Sequence, residues 1–165
     1  FGTANLTYGI PYRTDTPTNI GSTSKQFTAF AVLLQASRGK LSLDDDIRKH
    51  IPELPDLGDT VRVRHLITHT SGLREFLNLL AMTDRNVGND WISRDELIEI
   101  VQRQPKLQNA PGAEFNYNNT AFGLAALIVE RTSEKTFPAF MRDEVFQPLG
   151  MTRSMARTTS AAAAG

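Results

Sequence analysis

The chain has 165 residues, and its 18 Lys plus Arg balance 18 Asp plus Glu to a formal net charge of zero, with no cysteine. Length and 40 % hydrophobic content fit one globular domain with a sizeable core rather than a disordered chain. The absence of cysteine excludes a disulfide scaffold and cysteine-ligated metal centres, and zero net charge provides no general attraction to nucleic acid or acidic membranes.

Residues Ala4 to Ile10 alternate loosely around Tyr8 and predict a strand, after which Pro11, Asp15 and Pro17 punctuate a loop. A helix is predicted from Ser22 to Ser37, with Phe27, Phe30, Ala31 and Leu34 on one face and Gly39 as its stop. Asp44, Asp45 and Asp46 open a short helix carrying Ile47 and Ile51, closed by Pro52 and Pro55. Helices follow over Val63 to His69 and Glu75 to Met82. Ser93 and Glu96 form a capping box for a helix carrying Leu97, Ile100 and Val101, which stops before Pro105. Pro111-Gly112 marks a turn. A strongly apolar helix runs from Asn119 to Arg131 with Phe122, Ala125, Ala126 and Val129 on one face, and a last one from Pro138 to Phe146 is ended by Gly150. No apolar run approaches the ~18 residues of a membrane span, and no signal peptide is visible.

Three features carry chemistry. In Ser22-Thr23-Ser24-Lys25, serine and lysine at i and i+3 share a helix face, so the amine can take the proton that makes a hydroxyl nucleophilic. The helix start also supplies backbone N–H groups for an oxyanion. Taken alone, the spacing favours Ser22 as an ordinary helix cap over a catalytic serine. A second match, Ser37-Arg38-Gly39-Lys40, falls at a helix end with glycine inside it, where the rigid spacing is lost. The second feature is Tyr117-Asn118-Asn119 at a helix start: a tyrosine near cations can act as a base, and Asn119 offers both a donor and an acceptor. Its other reading is a buried tyrosine followed by a cap. The third is His65 to Gly72, where His65 and His69 stand at the i, i+4 spacing of a metal pair, but Leu66 replaces the glutamate of a His-Glu-x-x-His helix and no third ligand is evident.

In this order, these stretches resemble the serine β-lactamase and penicillin-binding-protein superfamily, specifically its class C β-lactamase-like branch. The stretch Ile20 to Ala29 is similar to the nucleophile motif. Gly39 to Asp45, His65 to Gly72, Pro111-Gly112 with Tyr117-Asn118-Asn119, and Pro148 to Met151 continue the likeness over residues 1 to about 155. The resemblance implies an α+β fold, a helical lobe joined to an antiparallel sheet with flanking helices, of which this mostly helical chain holds only part. It implies a serine hydrolase with Ser22 as nucleophile, Lys25 and Tyr117 sharing proton transfers, Asn119 binding substrate amide or Lys25, and no metal or organic cofactor.

The implied partner is a small-molecule amide or ester: a β-lactam, a D-amino-acid peptide or an ester, with a carboxylesterase or a non-catalytic binding module as alternatives. Nucleic acid is not expected. Family habit implies a periplasmic or secreted location, with a cytoplasmic one open. The family's third motif, Lys-Thr-Gly or His-x-Gly, is not found. Lys135-Thr136-Phe137 comes near but lacks the glycine. The expectation is therefore a partial domain over 1–155, inactive alone, with apolar surface left for the sheet, and a low-complexity tail or linker over 156–165.

Overall fold

The structure, a computed structural model, describes residues 2–86 and 92–157 and is mostly helical. Strands among the described residues are limited to an antiparallel hairpin, β1 (Thr3–Asn5) with β2 (Ile10–Pro11), pairing Thr3 with Pro11 and Asn5 with Ile10. The single strand predicted over Ala4 to Ile10 is thus folded back on itself. The Asn5 side chain accepts from the Tyr8 amide at 3.0 Å and Gly9 takes a φ of +62°, and together they make the turn.

One 3-10 turn, Gly21–Ser24, runs directly into helix α1 (Lys25–Ser37). α1 buries Ala31, Val32 and Gln35, with Phe27 and Leu34 packed against the core. Phe30, predicted on that face, is exposed, as is Leu33. The buried stripe is centred on Ala31 and Gln35, and Phe30 lies well around the helix from it. The helix predicted after Asp44 is only a 3-10 turn, Ile47–Lys49, capped by Asp46, whose carboxylate accepts from the Arg48 amide at 2.8 Å. Ile47 and Ile51 are buried beneath it.

The remaining helices are α2 (Val63–Ile67), α3 (Phe76–Ala81), α4 (Arg94–Gln102), α5 (Asn119–Ser133) and α6 (Phe137–Met141), the last continued by a widened helical turn over Arg142–Phe146. Ser93 caps α4, its Oγ accepting from the Glu96 amide at 3.1 Å. The buried face of α4 is Leu97, Ile98 and Val101, so Ile98 takes the place predicted for Ile100.

α5 is the central element. Ala121, Leu124, Ala125, Ile128 and Val129 are fully buried, on more than one face, and the larger ones each contribute roughly 1.5–3 kcal/mol. Burial on several faces is why the single stripe predicted through Ala126 is too narrow. α1, α2 and α4 all pack on α5. α4 comes close at Gly123, where a Cβ would lie 2.5 Å from Leu97 Cδ2. The pairing of α1 with α5 brings their first residues together.

A loop scaffold supports that junction. Gln108 N–H donates to the Gly72 carbonyl, Gly112 N–H to Thr70 and Asn116 N–H to His69, each at 2.8 Å. No helix among the described residues is long and apolar enough to cross a membrane. Of the tail expected over 156–165, residues 158–165 lie outside the described residues.

Gly72 is where this scaffold tolerates least. Its φ is +72°, and a Cβ there would lie 2.1 Å from the Asn109 carbonyl oxygen. Gly58, at φ +93°, faces open space. Urea unfolding of the complete protein is expected to show Gly58→Ala costing about 1–2 kcal/mol from backbone conformation alone, and Gly72→Ala about 3 kcal/mol or more. Equal costs would refute the close approach.

Candidate active site

A 3-10 turn has three residues per turn, so side chains at i and i+3 eclipse. Ser22 and Lys25 are related in this way across the turn that leads into α1, and Lys25 Nζ donates to Ser22 Oγ at 3.1 Å. Gly21 at φ +55° starts the turn, and its N–H donates to Asn19 Oδ1 at 2.9 Å. The Ser24 hydroxyl donates back to the Gly21 carbonyl at 2.7 Å, which leaves Ser22 as the serine presented to Lys25. In the second Ser-x-x-Lys match, Ser37 donates to the Leu34 carbonyl at 2.9 Å and Gly39 breaks the helix at φ +69°. Sequence spacing makes the two matches alike, and local backbone separates them.

Lys25 also donates to Oδ1 of Asn119, the first residue of α5, at 2.7 Å. Its ammonium stands 4.8 Å from the centre of the Tyr117 ring. Hydrogen bonding to Lys25, and after it to Ser22, holds the Tyr117 phenol below its ordinary pKa, against opposing effects of burial and of Glu75. The four residues singled out in the sequence, Ser22, Lys25, Tyr117 and Asn119, therefore meet at one place. Asn118, between two of them, is buried and structural: its Oδ1 caps α5 at the Ala121 amide, 2.7 Å, and its Nδ2 donates to the Leu73 carbonyl at 2.6 Å.

The two histidines do not share a helix face. α2 ends at Ile67, and His69 lies beyond it at a left-handed φ of +60°. The helix predicted to reach His69 stops early for that reason, and the i, i+4 geometry of a helical metal pair is not formed. His65 Nδ1 accepts from the Arg62 amide at 3.1 Å and His69 Nδ1 from the Asn118 amide at 2.9 Å. His69 also stacks on the Tyr117 ring, centroids 4.5 Å apart, and contacts Phe122 at 4.8 Å. Burial first, then the charge of Lys25, holds the His69 imidazole below its ordinary pKa, with Glu75 pulling the other way.

Two members of this site are not legible in the sequence. Spacing points to His69 as a partner of His65, not as the support of an aromatic ring. Glu75 reads there only as a helix start. It does cap α3 at the Leu77 amide, 3.1 Å, and its carboxylate also receives the Asn119 backbone and side-chain N–H groups. The glutamate before an apolar helical run is the visible signal, but nothing local points 44 residues onward to Asn119. The near miss Lys135-Thr136-Phe137 lies past the far end of α5, where Thr136 caps α6 and Lys135 pairs with Glu144 at 2.7 Å.

Comparison with known proteins comes to the same group. The family model described as Beta-lactamase matches residues 1–165. Penicillin-binding protein 4* of Bacillus subtilis is 30 % identical over 152 residues, covering 92 % of this chain and 33 % of that protein. Esterase EstB of Burkholderia gladioli is 36 % identical over 161 residues, covering 91 % and 41 %. The crystal structure of a penicillin binding protein from Bacillus halodurans superposes with a TM-score of 0.82 at 31 % identity, covering 96 % of this chain and 48 % of that one. This chain spans about a third of the length of the first curated relatives it matches.

Two measurements check the electrostatics. Ultraviolet titration of the complete protein, differenced against Tyr117→Phe, is expected to place Tyr117 below the ordinary 10.0, and Lys25→Met is expected to move it up. An unchanged titration in Lys25→Met would refute the assigned cause. For His69, a lowered folded-state pKa means that the unfolded chain takes up the proton first. This stabilisation is present above about pH 6.5 and is lost as pH falls through the folded value. Thermal melts are expected to weaken over that fall. His69→Asn, which keeps an acceptor and tolerates the left-handed backbone, is expected to flatten the slope, and an unaltered slope would assign it to other groups.

Proposed function

The chain belongs to the Beta-lactamase family, and from that premise we propose that the complete protein is a serine hydrolase of the class C-like branch, working through an acyl-enzyme on small amide or ester substrates. The observation that carries this reading is the relay Ser22 Oγ–Lys25 Nζ–Asn119 Oδ1, at 3.1 and 2.7 Å, with the Tyr117 phenol against Lys25 and Ser22.

The chemistry follows from those positions. Ser22 Oγ attacks the substrate carbonyl, and its proton passes to the Lys25–Tyr117 pair, which carries one proton between amine and phenolate and acts as a unit. The oxyanion forms at the start of α1, at the positive end of a helix. Collapse breaks the carbonyl bond to the leaving nitrogen or oxygen, which takes up the proton. Water then attacks the acyl ester, gives its proton to the same pair and releases the acid, and Ser22 recovers its hydrogen. Asn119 keeps Lys25 in place throughout.

The 36 % identity to an esterase favours an ester as substrate, with a β-lactam or a D-amino-acid peptide as the other members of the class. The juxtaposition of the Ser22, Lys25 and Tyr117 side chains supports turnover over a non-catalytic binding role.

A fluorophosphonate probe is expected to label the complete protein at Ser22, with p-nitrophenyl ester hydrolysis falling at least about a thousandfold in Ser22→Ala. Tyr117→Phe is expected to cost about 10²–10⁴-fold. Equal labelling of wild type and Ser22→Ala would overturn the proposal.

A further inference from the structure

Asn119 is useful to Lys25 only if its amide points the right way. The two ends of an asparagine amide are nearly the same shape, and their hydrogen-bond partners decide which end faces where. Here the neighbours leave one answer. On one side stands the Lys25 ammonium, which only donates, 2.7 Å from Oδ1. On the other stands the Glu75 carboxylate, which only accepts, with Oε1 3.2 Å from Nδ2. Glu75 Oε2 also takes the Asn119 backbone N–H, so the same carboxylate holds both the main chain and the side chain of the residue that starts α5. Its Oε1 caps α3 at the Leu77 amide, 3.1 Å, which ties the carboxylate to a second helix and limits its own movement.

We infer that Glu75 is a positioning residue of the site: it locks the Asn119 amide with Oδ1 toward Lys25, and so holds the Lys25 ammonium where it meets Ser22. The consequence for activity rests on the reading of Ser22 and Lys25 given above. The orientation of Asn119 does not.

Glu75→Gln is the incisive change because it keeps the shape and replaces one acceptor by a donor. With its single oxygen on the Asn119 backbone N–H, the introduced glutamine turns its own side-chain N–H toward Asn119 Nδ2 and toward the Leu77 amide, where Glu75 caps α3. Two donors then face each other, and relief comes by turning the Asn119 amide over. That presents a donor to the Lys25 ammonium. Pairing Glu75→Gln with Asn119→Asp exchanges amide and carboxylate between the two positions. The introduced glutamine then donates to one oxygen of the introduced aspartate while the other oxygen accepts from Lys25, and the relay is restored.

The test has two arms on the complete protein. In the first, nuclear magnetic resonance follows exchange of the Asn119 side-chain N–H protons. They are expected to be protected in wild type and to lose that protection in Glu75→Gln, whether or not Ser22 is a nucleophile. In the second, Glu75→Gln is expected to lower kcat for p-nitrophenyl ester hydrolysis about 10- to 100-fold with little change in KM. The Glu75→Gln/Asn119→Asp pair is expected to recover most of that loss, and Glu75→Gln is expected to add little on top of Asn119→Ala. Unprotected Asn119 protons in wild type overturn the inference. So does a swap no better than Glu75→Gln in a protein that labels at Ser22. Protected protons in a protein that does not label at Ser22 would uphold Glu75 and overturn the hydrolase reading instead.

Discussion

The Lys25 ammonium joins the N-terminal ends of two helices across 94 residues of sequence. It donates to Ser22 at the start of α1 and to Asn119 at the start of α5, and the Tyr117 ring lies beside it. A half-buried ammonium left without acceptors would be costly, so both helix starts must be held where their oxygens can receive it. The apolar contact between α1 and α5 supplies most of that holding. α1 packs on α5 with Ala31 and Val32 of the one and Leu124, Ile128 and Val129 of the other buried, and their first residues follow.

Fine positioning falls to polar groups that apolar packing cannot provide. The Asn118 side chain, the His69 ring and the Glu75 carboxylate each hold backbone N–H groups at or just before the start of α5. His69 does this from a left-handed backbone, at a cost of about 1–2 kcal/mol. Its carbonyl, its Nδ1 and its ring each gain a contact in return, with Asn116, Asn118 and Tyr117. Gly72 lets the neighbouring stretch of loop come close enough for the Gln108, Gly112 and Asn116 amides to pair with residues 69–72.

Much of the architecture is legible in the sequence. The helix that runs to Ser37, the Ser93 cap and the apolar run after Asn118 are local features, set by periodicity and by side chains that reach only a few residues. Two of the departures share a cause. Periodicity puts Phe30 inside because it gives a stripe but not its centre, and the centre depends on where α5 lies. Ile98 goes unread for the same reason. The strand expected over residues 4–10 folds into a hairpin because a side-chain acceptor and one glycine outweigh a weak alternation.

For the site, the sequence by itself determined the chemical inventory: a serine and a lysine one turn apart, and a tyrosine and an asparagine ahead of an apolar helix. Those depend only on residue type and short spacing. It could not assign His69 to Tyr117 rather than to His65, or connect Glu75 with Asn119, and it separated Ser22 from Ser37 only by their places along a helix. Tertiary structure decided the first two, because each depends on which groups from distant segments come within hydrogen-bonding reach, and local backbone decided the third. Zero net charge and the absence of cysteine are compatible with chemistry of this kind without pointing to it, and the packing of α1 on α5 determined which groups meet.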